Sequence, residues 1–152
     1  MSAHANRIST IRALLAGSSA ASWPDYSRID DEFNEAKNVG RLAPLRRRRI
    51  FEVFHASRAT EGVLRAFVYN NNCLSPNKPN PCSIGQYLFA LHAHVNSQRS
   101  NLSSSERHQF QQRIAQKRNQ YLHRAGEYPR SQHNVAILLS DMYACIARTL
   151  AL

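Results

Sequence analysis

The sequence predicts an all-α protein, folded as an antiparallel helical bundle with an additional N-terminal helix. Glycine and proline are scarce, at 5 and 6 of 152 residues. Apolar residues recur at spacings near 3.6, which places them on one face of a helix. Serine-led segments with the composition of helix N-caps precede several of these stretches. The length and the hydrophobic content of 43% fit one domain over residues 1–152.

Three helices are predicted in the first half of the chain. A short one near 5–16 lies at the periphery, within residues 1–24, and a second covers about 26–38. Its acidic residues suit a first helical turn, where the helix dipole is positive, and Gly40 ends it. A long third helix covers about 43–71 and begins with Pro44, which lacks only an N–H that would be unpaired there.

A proline-rich loop over 73–82 separates these helices from the second half of the chain. Two capping-box patterns follow, at 83–86 and 103–106. The first opens a helix that runs to about 96, and the second opens one over roughly 104–124. Gly126 and Pro129 end the latter, and Ser131 caps the last helix.

The charge is strongly basic, with a formal net charge of +10, and seventeen of the twenty cationic residues are arginine. Arginine pairs with phosphate through two parallel hydrogen bonds, so a nucleic-acid partner is one interpretation and a solvated basic surface is the other. The densest run is 46–49. It is either an RNA track or a basic collar balanced by Asp30, Asp31 and Glu35.

Three cysteines, Cys73, Cys82 and Cys145, do not make a disulfide framework. We expect them to be reduced thiols in a cytoplasmic protein. No apolar run is long enough to span a bilayer, so no membrane association is expected. The first 24 residues contain no acid and loosely resemble a transit peptide, but a first helix explains the same residues and is favoured. No metal-ligand spacing and no phosphate-binding glycine loop are visible, so neither metal nor cofactor is expected.

One motif carries candidate chemistry, Arg118-Asn119-x-x-x-His123 near the end of the fifth helix. Arg118 is four residues from Ile114 and from Leu122, so it shares a line with apolar residues. A guanidinium there needs an acidic partner or a cleft that binds an anion, because an unpaired buried charge costs several kcal/mol. Asn119 and His123, at i and i+4, share a neighbouring face.

This motif, followed by a Gly/Pro break and a final amphipathic helix, resembles the signature of the HEPN superfamily. The resemblance covers about 103–152 by motif, and the earlier helices match only in number and order. It implies a HEPN-like four-helix core and a metal-independent endoribonuclease that acts as a homodimer with a composite active site. Such proteins are often toxins or defence effectors restrained by an antitoxin or another regulatory partner.

The resemblance also implies roles for the motif residues. His123 is the candidate general base or acid at the ribose 2′-OH, Arg118 the candidate phosphate ligand, and Asn119 the residue that orients either. Attack by a 2′-OH requires RNA and predicts a 2′,3′-cyclic phosphate. Four flanking arginines are candidates for binding substrate phosphates: Arg107, Arg113, Arg124 and Arg130.

Two other functions compete with the nuclease hypothesis. In a non-catalytic helical adaptor or RNA-binding regulator, Arg118 pairs with an acid inside the fold, for which Asp30, Asp31 and Asp141 are the candidates. A DNA-binding protein is disfavoured, since the sequence contains no convincing recognition-helix turn.

Overall fold

The computed structural model describes residues 3–39, 44–74, 79–93 and 100–152, with side chains from residue 7 onward. Helices occupy most of these ranges and no strand occurs in them, which confirms the all-α class. The elements, in chain order, are α1 Ala3–Ala16, a 3-10 helix Ser19–Ser22, α2 Tyr26–Asn38, α3 Leu45–Asn70, α4 Ile84–Ala93, α5 Ser104–Phe110, a π-helical segment Gln111–Gln116, α6 Lys117–His123 and α7 Gln132–Leu150.

The long helix α3 organises the packing, since it contacts α2, α4, α6 and α7. Its buried face carries Val53, Val63, Leu64 and Phe67, and it meets fully buried apolar side chains from the other helices. Burying one such side chain stabilises the fold by about 1.5–3 kcal/mol relative to exposure. The helical bundle is therefore held by one continuous core, and its likeness to a HEPN four-helix core stays a prediction.

Helix α1, which we expected at the periphery, contributes to that core. Ile8, Ile11 and Leu15 are at most 1% exposed, and α1 packs against both α2 and α7. Arg12 also binds both carboxylate oxygens of Asp30 on α2, through two hydrogen bonds of 2.7 Å. This bidentate pair ties the first helix to the second.

Predicted and observed helix ends agree closely, and α2 has the predicted bounds. Helix α3 begins two residues later and ends one residue earlier than expected. The predicted stop at Gly40 and the predicted end of α4 near 96 lie outside the described residues, which carry α4 to Ala93. In the proline-rich loop, Cys73 is buried and residues 75–78 also lie outside the described ranges.

The two capping boxes differ in completeness. Ser103 accepts from the Glu106 N–H, and Glu106 reaches back to the Ser103 N–H, as predicted. At the other box, the Gln86 N–H donates weakly to Ser83, at 3.4 Å. The Gln86 side chain, however, binds the N–H of Cys82 at 2.8 Å instead of that of Ser83, so the predicted reciprocal pair is wrong by one residue.

The predicted helix 104–124 differs most from expectation. It ends at His123, and its middle is wound as the π-helical segment Gln111–Gln116 between α5 and α6. A π-helix bonds i to i+5 and turns less per residue than an α-helix, so every residue after it is rotated from its expected position. None of the helices in the described ranges has an apolar stretch long enough to span a bilayer.

Candidate functional site

The π-helical segment determines where the motif residues lie. In an unbroken α-helix Arg118 would share the buried line of Ile114 and Leu122. Here Ile114 is fully buried, but Tyr121 takes the next buried position and Leu122 is only partly covered. The Arg118 side chain is 22% exposed. It therefore stands at the border of the core, where its charge meets solvent.

The structure brings the three motif side chains into contact. Arg118 Nη1 donates to Asn119 Oδ1 at 2.9 Å and lies 3.3 Å from His123 Nε2. A guanidinium has donors only and keeps its protons in proteins. The contact with His123 therefore requires Nε2 to accept, which is the neutral imidazole with its proton on Nδ1. Asn119 and His123 are both exposed, so the cluster opens to solvent.

A fourth side chain, Glu61 on α3, joins the motif residues and was not predicted from the sequence. Its Oε2 lies 3.9 Å from Arg118 Nη2, and its side chain is 31% exposed. Glu61 approaches Arg118 through Nη2, while Asn119 and His123 contact Nη1. Nothing local to the motif signals Glu61, because only the packing of α6 on α3 brings it there.

One donor of Arg118 is unsatisfied. Its Nε is buried and has no hydrogen-bond partner among the described residues. A buried polar N–H without a partner costs about 1–3 kcal/mol, and such atoms in native structures call for an explanation such as a bound ion or water. The guanidinium thus contacts Asn119 and His123 through Nη1 and approaches Glu61 through Nη2, while the buried Nε has no partner among the described residues.

The acids that the adaptor hypothesis offered to Arg118 have other partners. Asp30 is bound by Arg12, and Asp141 lies 3.6 Å from Arg113. Asp31 is exposed on α2. Burial raises the pKa of Asp141, and Arg113 opposes that shift. The carboxylate that does approach Arg118 belongs to Glu61.

The four flanking arginines are spread over the molecule. Arg124 follows His123 where the backbone leaves the helix, and it is exposed. Arg113 turns toward α7 and Asp141. Arg107 lies 11 residues before Arg118, beyond the π-helical segment and beside a groove that Phe89 also lines. Arg130 stacks near Tyr128 in the loop before α7. Only Arg124 directly adjoins the motif, so the substrate-binding role of the others depends on an extended ligand.

No three His, Cys, Asp or Glu side chains among the described residues are grouped as a metal site would require. None of the three cysteines forms a disulfide within the described ranges. Cys73 and Cys145 are buried, and burial raises the pKa of the Cys145 thiol to about 12. Cys82 is exposed. The motif site itself brings together a guanidinium, an imidazole, an amide and a carboxylate.

Comparison with known proteins adds no relative. No protein-family model, no curated protein and no solved structure matches this chain. The resemblance to the HEPN signature therefore depends on the motif residues and on their position before the last helix.

Proposed function

We propose that this chain is a metal-independent endoribonuclease that cleaves RNA by attack of a ribose 2′-OH, with Arg118, Asn119 and His123 as its catalytic residues. It acts in the cytoplasm as a homodimer, as a toxin or defence effector restrained by a partner protein. The observation that carries the proposal is the contact of one guanidinium nitrogen with both Asn119 Oδ1 and His123 Nε2 on an exposed surface. A phosphate ligand and a neutral base are thereby held together.

The chemistry follows from that contact. In the absence of RNA, the lone pair of His123 Nε2 accepts a hydrogen bond from Arg118. A phosphodiester draws the guanidinium toward its anionic oxygens, because a charge-assisted bidentate bond is stronger than a bond to a neutral ring. His123 Nε2 is then free to take the proton of the 2′-OH. The 2′ oxygen bonds to phosphorus, the 5′ oxygen leaves, and a 2′,3′-cyclic phosphate remains.

Arg118 stabilises the additional negative charge that develops on the phosphoryl oxygens in the transition state. Asn119 holds the guanidinium through its amide oxygen. Glu61 acts as a positioning residue, since its carboxylate holds Nη2 on the side toward α3.

A second histidine is needed to protonate the leaving 5′ oxygen. The site formed by Arg118, Asn119 and Glu61 in one chain has His123 as its one histidine. In the proposed homodimer the second copy therefore supplies its own His123 to the same RNA. General acid–base catalysis by such a pair contributes about 10²–10⁴-fold per group. The size of the particle in solution, measured by light scattering, tests this part of the proposal separately.

The test is cleavage of bulk RNA by the full chain in the presence of EDTA. We expect His123→Ala and Arg118→Ala each to lower the cleavage rate at least about 100-fold. His108→Ala, which changes an exposed histidine on α5, is the matched control and should cleave as the wild type does. The product should carry a 2′,3′-cyclic phosphate. Equal cleavage by the wild type and both motif variants would refute the proposal.

The approach of Glu61 to Arg118 favours a second candidate, the non-catalytic adaptor or RNA-binding regulator. In that function the 3.9 Å contact is a structural ion pair. Steeply salt-dependent RNA binding without cleavage, unchanged in His123→Ala, would support it over the nuclease.

A further inference from the structure

A second basic surface lies where the start of α3 meets the loop before α7. The guanidinium carbon of Arg46 lies 4.5 Å from the ring centroid of Tyr128, and that of Arg130 lies 5.6 Å from it. Arg49 Nη1 donates to the carbonyl oxygen of Arg130 at 2.7 Å. We call these four residues, Arg46, Arg49, Tyr128 and Arg130, the Tyr128 cluster.

Its positive charge is not balanced by neighbouring acids. Within the described ranges, no carboxylate lies within ion-pair distance of Arg46, Arg49 or Arg130. Asp30, which was a candidate to balance the run 46–49, is bound by Arg12 instead. Arg49 Nε is also buried without a partner among the described residues. Three like charges gathered in this way repel one another, and an anion is the ligand that relieves the repulsion.

Stacking on Tyr128 prepares two of the arginines for such a ligand. A guanidinium that lies over an aromatic ring keeps its N–H donors at its edge, and those edges match the two oxygens of a phosphodiester. Both side chains are exposed. Because both guanidinium groups already rest against the ring, less side-chain freedom is lost when they bind.

The Tyr128 cluster and the motif site both lie along α3. Arg118 faces Glu61 on α3, and further along the chain the Arg130 carbonyl faces Arg49. The stretch from 118 to 130 therefore runs antiparallel to α3. Glu61 and Arg49 are 12 residues apart, about 18 Å along the helix axis. A stacked nucleic-acid strand, with a rise of about 3.4 Å per nucleotide, covers that distance with about five nucleotides.

We propose that the Tyr128 cluster binds the phosphodiester backbone of the RNA that leads into the Arg118–His123 site. Its contacts are to phosphate, so it recognises RNA without base preference. That the bound strand leads into the Arg118–His123 site rests on the proposed function, whereas binding of RNA to the Tyr128 cluster is measured without cleavage. This surface explains how a small all-α chain with one exposed motif holds a substrate long enough to react.

The experiment measures binding of the full chain to a single-stranded 2′-O-methyl RNA of about ten nucleotides, long enough to span both clusters at the rise given above. Fluorescence anisotropy gives the affinity at several salt concentrations. The test variant is Arg46→Ala/Arg130→Ala, which keeps the Arg130 carbonyl that Arg49 binds. The control is Arg28→Ala/Lys37→Ala, which removes the same net charge from exposed positions on α2.

We expect the test variant to bind the long RNA roughly tenfold or more weakly. Its slope of log affinity against log salt should fall by about 1.4, the value for two phosphate contacts on a single strand. The control should keep the wild-type affinity and slope. With RNA that carries free 2′-OH groups, the test variant should cleave a substrate of about ten nucleotides more slowly than the wild type. It should cleave one of about four nucleotides, too short to reach from the motif to the Tyr128 cluster, at the wild-type rate.

Three results would overturn the proposal. The test variant could bind RNA as tightly as the wild type, or the control could lose as much RNA affinity as the test variant. The third is a loss of binding that appears with vesicles of anionic lipid and not with RNA. The nuclease hypothesis fails separately. If the test variant binds RNA weakly but neither the wild type nor any variant cleaves RNA, the binding role of the Tyr128 cluster is supported and the nuclease hypothesis is refuted. If cleavage depends on His123 but binding is unchanged in the test variant, the cluster alone is refuted.

Discussion

Glu52 offers the sharpest test of the electrostatics inferred near the start of α7. It is 4% exposed on α3, and its carboxylate accepts one hydrogen bond, from Gln132 Nε2 at 3.0 Å. Burial raises its pKa, while Gln132 and the charge of Arg48 oppose the shift. Burial dominates, so the folded state favours the neutral carboxyl more than the unfolded state does.

The sign of the pH dependence follows. Since the folded pKa is raised above the unfolded value of 4.5, the favourable contribution is complete below that value and is lost as pH rises through the folded pKa. Glu52 therefore contributes less to stability at pH 7 than it does below pH 4.5. Glu52→Gln keeps an oxygen that accepts from Gln132 and removes the charge, so it should raise the free energy of unfolding.

The gain should be on the order of 1 kcal/mol, the scale on which a buried charge with few hydrogen bonds differs from a neutral group of the same shape. For a chain of this length, that gain corresponds to a rise in Tm of about 2–4 °C. Calorimetry at pH 7 measures it, and the difference between variant and wild type should shrink as the pH approaches 4.

The matched control is Glu35→Gln at an exposed position of α2, which should leave Tm unchanged. A lower Tm for Glu52→Gln at pH 7 would refute the reasoning. It would mean that attraction between Glu52 and Arg48 exceeds the cost of burial, and that the acid is a true counter-ion of the run 46–49.

Two further predictions concern the second half of the chain. Glu106 accepts from Arg148 at 2.7 Å and from the Ser103 N–H, and these bonds, the one from Arg148 first, lower its pKa. The stability that these bonds provide is present above pH 4.5 and is lost as pH falls through the lowered pKa of Glu106. Arg148→Met should therefore unfold at a higher pH than the wild type in an acid titration followed by circular dichroism. An unchanged midpoint of that titration would contradict this. At pH 8 a thiol reagent should label the folded protein rapidly at the exposed Cys82 only. Cys73 and Cys145 are buried, and burial raises the pKa of the Cys145 thiol to about 12. Rapid labelling of the folded Cys82→Ser variant would contradict this.

Local patterns in the sequence predict the helices well because helix ends depend on nearby residues. The box at Ser103 and Glu106 forms as expected, since both partners lie within one turn. The bounds of α2 follow from its apolar face of Ile29, Phe33 and Ala36. Such signals need no knowledge of the rest of the fold.

The sequence could not predict the π-helical segment or the neighbour on α3. Residues 111–116 are ordinary helix formers, and nothing in their order distinguishes i to i+5 bonding from an α-helix. Within the segment, Ile114 and Ala115 are buried while Gln112 and Arg113 are exposed. The approach of Glu61 to Arg118 depends on the packing of α6 on α3.

These two unpredicted features bear directly on the choice between the nuclease and the adaptor. An arginine whose role is structural should have its donors satisfied inside the fold, since a half-paired buried guanidinium costs several kcal/mol. Arg118 instead holds Glu61 at 3.9 Å, shares Nη1 between Asn119 and a neutral His123, and leaves Nε without a partner among the described residues. The rotation after the π-helical segment explains why this arrangement is tolerated, because it moves the guanidinium to the edge of the core. An anion that bound the terminal nitrogens would draw Nη1 away from His123 and release the lone pair of Nε2, which the ionic partner Glu61 alone does not do.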